Sequence, residues 1–297
     1  QDSDDFSHPR RIEWQVRPLL ENDSLIATRS DSIRVDPEIV IANPGSMYIQ
    51  GNASSLMFRL KDVMDRIGFF DRVRKGADSE YAYRIEAAFG AAVSNIAEKV
   101  PLAIVRLEPD SLSRSEFKPG WRHRARSSYR EAYAYWHEKI SSGEDSAYLP
   151  GFDVPRKFPA PRRFVIDKSA LPRTYDVVFV GEWRDHGGPQ ASMIEEIRAL
   201  RGMGLRLAIA HLEAFRFMTR ERRPLSAQIR GLINEGVVDE LIAGDEVEVR
   251  LAILRYPPIL QFTPVHPMGW KVHRLMIVAN QSPSELDGSD LRYQVGD

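Results

Sequence analysis

Apolar residues recur at helical spacing in Ile12–Glu21, where Ile12, Val16, Leu19 and Leu20 share one face and Pro9 stands near the start. Ser24–Ala27 and Ser32–Val35 read as short strands, and Glu38–Ala42 is a further apolar run. Ser54–Phe58 reads as a strand and Leu60–Ile67 as a short helix that Gly68 stops. Between Gly76 and Gly90, Tyr81, Ile85, Ala88 and Phe89 form a helical stripe, with Asp78, Ser79 and Glu80 in the first turn. Carboxylates there suit the helix dipole. Val100–Leu107 follows as a strand and Arg122–Lys139 as a helix rich in Arg, Tyr and Trp.

The pattern breaks from Ser141 to Arg173, where prolines at 150, 155, 159, 161 and 172 interrupt any period. The expected organisation is a first domain over 1–140, a proline-rich linker over 141–174, and a second domain over 175–297. Tyr175–Trp183 is apolar throughout, as a strand buried on both faces tends to be. A tight His186-Gly187-Gly188 loop, a helix over Gln190–Gly202 and a strand over Leu205–Leu212 come next. Leu225–Asn234 reads as a helix, and Glu240–Ile242, Val247–Leu254 and Arg274–Ala279 as strands. Strand, glycine turn, helix, strand is the logic of an open parallel sheet, whose ligands gather at the strand carboxyl ends. The loop lacks a full GxGxxG, so no dinucleotide site is indicated. The fold class is therefore α/β.

Composition narrows the classes. The 297 residues carry 41 Lys and Arg against 42 Asp and Glu, a net charge of −1, so the bulk field argues for neither a nucleic acid nor a membrane. There is no cysteine, hence no disulfide, thiolate metal site or cysteine nucleophile, which fits a reducing compartment. No apolar run reaches membrane-spanning length. The chain opens on Gln1, inside a motif, and reads as a fragment or a product cut from something longer.

That motif is the candidate chemistry. Asp2 and Asp4 alternate on one side of an extended segment and can converge on a hard cation, Mg2+ or Mn2+, that keeps positions for phosphate oxygens. The alternative is an acidic helix cap. Asp78 and Glu80 admit the same alternative, as acids at a helix start. The basic run Arg114, Lys118, Arg122, Arg124, Arg126 and Arg130, with His123, is interleaved with Trp121 and Tyr129. Its guanidiniums could neutralise a diphosphate, or it is a solvated helix face. Trp136-His137 reads as core packing.

Three stretches in order, QDSDDFSHPRR, SSLMFRLKDVMDRIGFFD and GADSEYAYRI, make residues 1–140 resemble the second half of a family 2 glycosyltransferase of the GT-A fold. The resemblance implies that Asp2 and Asp4 belong to the DxD motif holding the metal on a nucleotide-sugar diphosphate. Asp78 would be the base that deprotonates an acceptor hydroxyl in an inverting displacement. Arg84 keeps the family's spacing from Asp78, while Ala77 replaces the usual Glu. Arg84, Arg122 and Arg126 are candidates for the donor diphosphate or the acceptor.

Residues 175–297 resemble the N-terminal Rossmann-like half of a GT-B glycosyltransferase, through YDVVFVGEW, Gly187-Gly188, MIEEIRALRGMG and LRLAIAHL. By that resemblance Gly187 and Gly188 would bring backbone amides near an anion; a plain tight turn is the alternative. The implied work is hexosyl transfer from a nucleotide sugar to a glycan or lipid-linked acceptor in surface polysaccharide assembly. The implied place is cytoplasmic, or peripheral at the inner face of the membrane. The isolated fragment is expected to be inactive. The rival readings are a metal-dependent phosphoryl or phosphodiester hydrolase and a non-catalytic glycan-binding scaffold.

Overall fold

The computed structural model describes residues 5–42, 48–90, 93–108, 116–118, 121–151, 154–214, 223–261, 267–279, 282–289 and 291. The chain forms two compact units, Gln1–Lys157 and Phe158–Asp297. Among the described residues no helix is long and apolar enough to cross a membrane.

Unit 1 begins with β1 (Phe6–Ser7), α1 (Arg11–Glu21), β2 (Ala27–Val35) and β3 (Ile49–Phe58). It continues through α2 (Leu60–Ile67), α3 (Ala77–Phe89), β4 (Val93–Arg106), β5 (Phe117–Lys118), β6 (Trp121–Arg122) and α4 (Arg124–Ser141). Its mixed sheet has the order β1-β4-β2-β3. β2 and β4 run parallel, and β1 and β3 are antiparallel to their neighbours. Val63 and Ile67 of α2 and Tyr81, Ile85 and Ala88 of α3 close a core over Ala27.

The structure differs from the hydropathy reading in three places. The two short strands expected at 24–27 and 32–35 are one strand, β2. Its middle is polar, yet Thr28, Ser30, Asp31 and Ser32 are all buried. Thr28 is satisfied through its hydroxyl by the carbonyl of Gln15, and the Ser30 backbone N–H donates to Ser55 Oγ at 2.8 Å, while the Ser30 hydroxyl is buried without a hydrogen-bond partner among the described residues. The run at 38–42 turns back on β2 through Ile39 at φ +64, with Asp36 Oδ1 accepting from Val40 N–H at 2.8 Å. α1 is rolled from its expected face. Ile12 and Leu20 are exposed, whereas Gln15 is fully buried beside Leu19. Gln15 Nε2 donates to the carbonyl of Ser55 at 2.7 Å, and Thr28 Oγ1 donates to the carbonyl of Gln15 at 3.0 Å.

The proline-rich stretch contributes to both units. Ala147 and Leu149 are buried, and Leu149 bridges to Gly68 of unit 1. A Cβ on Gly68, whose φ is +69, would come within 2.1 Å of the Leu149 carbonyl oxygen, so only glycine fits. Phe158 and Phe164, in unit 2, are buried as well.

Unit 2 holds β7 (Thr174–Gly181), α5 (Gly188–Gly202), β8 (Leu207–His211), α6 (Ala227–Asn234), β9 (Asp239–Leu241), β10 (Val247–Arg255) and β11 (Trp270–Val278). All neighbouring strands are parallel, in the order β11-β10-β7-β8-β9. Alternation along β7 and β8 divides the core. Val177, Phe179, Leu207 and Ile209 pack with Met193, Ile197, Ile229 and Ile233 of the two helices. Val178, Val180, Ala208 and Ala210 turn to the other face, with Val249, Tyr256 and Ile259. The chain steps outward from β7 to β9 and then returns to β10, which places the switch point of the sheet between β7 and β10.

Candidate functional site

In unit 1 the structure separates the candidate residues, and Asp5 lies where β2 ends. β1 pairs with β4 through Phe6 with Ile104 and Ser7 with Ala103, and Asp5 Oδ1 accepts from the Arg106 N–H at 3.1 Å. Asp5 is thereby tied to the end of β4, where Arg106 lies opposite Val35 of β2. Asp2 and Asp4 themselves lie outside the described residues. Among the described residues no three His, Asp or Glu side chains form a group suited to a metal ion.

Asp78 is the second residue of α3, two after Gly76, whose φ of +82 turns the chain into the helix. It is partly exposed. Its Oδ1 accepts from the Ser79 N–H at 2.8 Å, and Ser54 Oγ of β3 lies 3.5 Å from its Oδ2.

Arg34 of β2 feels the charge of both Asp78 and Asp5, and nothing in the motifs of the sequence marks it as a candidate. Burial is the main force pushing its guanidinium down to about 10. Arg126 and Arg122 add repulsion, and Asp78 and Asp5 offset only part of it. Arg34 also stacks on Phe117 of β5, 4.7 Å from the ring centre. Arg126 and Arg122 lie over the same ring at 5.3 and 5.4 Å. Below them the fully buried Glu116 takes Lys75 Nζ at 2.9 Å and Arg126 Nε at 2.5 Å. The only signal for Arg34 was a cation between Ile33 and Val35 at the apolar end of β2.

The basic run thus divides by role. Arg122 and Arg126 join the cluster on Phe117, whereas Arg124 pairs with Glu131 of its own helix at 2.6 Å. Trp136 and His137 are buried, the first donating to Asp145 Oδ2 at 3.0 Å.

Arg84 stands apart from this site. Its side chain is fully buried, with its Nε 3.0 Å from Glu80 Oε1. Its other nitrogens donate to the carbonyls of Ile67 at 2.9 Å, Ala147 at 3.1 Å and Phe69 at 2.7 Å. It ties the loop after α2 and the segment after α4 to α3, and its side chain is closed off from solvent. Asp71 of the same loop takes the Tyr129 hydroxyl at 2.7 Å and pairs with Arg156. The match at GFFD and the Asp78-to-Arg84 spacing therefore mark a structural latch next to the site.

In unit 2 the expected glycine loop follows β7. Gly187 N–H donates to Gln190 Oε1 at 3.2 Å, and Gln190 Nε2 donates to the carbonyl of Glu182 at 2.7 Å. The amide of Gly187 is spent on closing the turn; Gly188 opens α5 and is exposed. Glu182 is fully buried. Burial raises its carboxyl, but Arg184, His211 and the Ala214 N–H together hold it below the usual range. Arg184 grips it through Nε at 2.8 Å and Nη2 at 2.6 Å. His211 Nδ1 accepts from the Trp183 N–H at 3.2 Å, so this histidine braces the loop, while His186 is exposed.

No protein-family model and no curated protein matches the sequence.

Proposed function

We propose that the chain works as part of a metal-dependent, inverting glycosyltransferase. It would move a sugar from a nucleotide-sugar donor to a hydroxyl of a glycan or lipid-linked acceptor, in surface polysaccharide assembly on the cytoplasmic side. The observation that carries this reading is the place of Asp78, two residues after Gly76, which lies against Arg126 of the guanidinium cluster on Phe117. It brings the first turn of α3 beside cations from β2 and α4, each more than forty residues away in sequence.

In this reading Asp78 takes the proton of the acceptor hydroxyl as its oxygen attacks the anomeric carbon, and the bond to the donor diphosphate breaks on the opposite side. Asp2 and Asp4 would hold the divalent cation, which supplies charge neutralisation to the diphosphate. Unit 2 is read as the acceptor-holding half of a GT-B domain. Its parallel sheet and its switch point beside the β7 loop support that reading, and ligands of such sheets sit there.

The test is Asp78→Asn in the protein as its gene encodes it, assayed with a panel of nucleotide sugars. Transfer is expected to fall by ~10²–10⁴-fold, the range for losing a general base, with nucleotide binding in Mn2+ nearly intact. Transfer within tenfold of the parent would overturn the assignment.

A further inference from the structure

The position that would cap α3 is Gly76, at φ +82, which has no side chain to hold the free amides of the first turn. The place of that turn, and of Asp78 within it, is set instead by the loop leading into it, residues 71–76. Tyr129 of α4, almost fully buried, closes this loop at both ends. Its hydroxyl donates to Asp71 Oδ2 at 2.7 Å. Its ring lies so close to Gly76 that a Cβ there would come within 3.3 Å of Cδ1 and Cε1. Arg156 grips the same loop, pairing with Asp71 Oδ2 and reaching to 3.5 Å from the carbonyl oxygen of Arg72. The Asp71 side chain is only 8% exposed and that of Arg156 29%, so this pair is better shielded than the usual surface salt bridge. Lys75, the residue before Gly76, is held by Glu116 at 2.9 Å.

Resting on the transferase reading, we propose that Asp71, Tyr129 and Arg156 are positioning residues for Asp78, a clamp on the loop that presents this base to the acceptor hydroxyl. Misplacing a reacting group by about 1 Å can cost roughly a hundredfold in rate. An uncapped first turn is the part of a helix most ready to open, and the clamp removes that freedom. None of the three residues touches the reacting atoms; each acts through the first turn of α3. The clamp also gives the proline-rich stretch a share in the chemistry. Arg156 belongs to that stretch, 85 residues beyond Asp71, and is the last residue but one of unit 1. A first domain ended at residue 140 would keep Asp78 and lose part of what holds it in place.

Amide exchange and kinetics, on the protein as its gene encodes it, test this. The reporter is the Glu80 N–H, which closes the first turn on the Gly76 carbonyl at 3.0 Å. The control is the Gly90 N–H, bonded to the Glu86 carbonyl at the far end of α3. Arg156→Gln should speed exchange at Glu80 by roughly tenfold or more, the worth of one charge-assisted contact, and leave Gly90 unchanged. Tyr129→Phe keeps the ring on Gly76, loses the hydroxyl, and should act in the same direction; it is the second variant if Arg156→Gln melts early. With the nucleotide sugar that the parent uses best, kcat of Arg156→Gln should fall by roughly ten- to a hundredfold, with the donor KM within about twofold. Arg156→Lys should recover part of both losses. In an Asp78→Asn background, Arg156→Gln should cost no further transfer, because it acts through Asp78. Exchange at Glu80 indifferent to both variants, or the same loss of kcat with and without the Asp78 carboxylate, overturns the proposal. Equal rises at Glu80 and Gly90 overturn it as well, by making the clamp a general support of α3. Failure of the transferase reading looks different: the parent then transfers no sugar from any donor of the panel, while exchange at Glu80 still follows Arg156.

Discussion

His137 Nε2 of α4 lies 3.0 Å from Glu80 Oε1 of α3, and Arg84 Nε lies 3.0 Å from the same oxygen. Glu80 and Arg84 are fully buried and His137 nearly so. One carboxylate therefore joins two helices and, through Arg84, two loops. Such a buried pair is weak in net stabilisation but costly to break from one side, because the remaining charge stays in the core.

Arg84→Met should accordingly destabilise unit 1 by about 3–5 kcal/mol, read from urea unfolding. Binding of a nucleotide in Mn2+ should be unchanged under conditions where the variant is folded. A variant that unfolds like the parent but loses nucleotide affinity would return Arg84 to the ligand role that its spacing from Asp78 suggested.

The glycine loop of unit 2 leads to a second expectation. Gln190 satisfies both the Gly187 N–H and the Glu182 carbonyl from within α5. Gln190→Ala removes both partners and should cost about 1–2 kcal/mol, the usual worth of a cap. Amide exchange at Gly187 should rise with it. Unchanged exchange at Gly187 would mean that the turn is held by other contacts.

Asp245 gives unit 2 a pH signature. Burial pushes its carboxyl from the ordinary 3.8 up to about 6, against the Ile242 N–H and the charges of Arg162, Arg163 and Lys168, which pull it back. A carboxyl raised by folding favours the fold at low pH, and that contribution is lost as pH rises through about 6. Asp245→Asn should therefore gain on the parent by up to roughly 3 kcal/mol on going from about pH 4 to about pH 8. The check is paired thermal melts across that range. Parallel curves would show that the Asp245 carboxyl ionises without penalty.

The sequence by itself determined the local pieces. A period near 3.6 closed by a glycine located α2 and α3, each of which ends one residue before a glycine of positive φ. Largely apolar runs located β7 and β8 of the parallel sheet, and an alternating start followed by an apolar end located β10. These features are legible because helix and strand periods and glycine stops act over a few neighbouring residues.

The tertiary structure alone decided what polar residues do. Gln15 turns inward and Ile12 outward because the carbonyls of Thr28 and Ser55 are there to meet the glutamine. Arg84 turns inward because carbonyls from three distant segments converge on it. Arg34 reads as one more charge on a strand until Phe117, Arg122 and Arg126 arrive from some eighty to ninety residues away. Hydropathy assigns each such residue to the surface. Whether it is buried depends on partners that only folding brings within hydrogen-bonding distance.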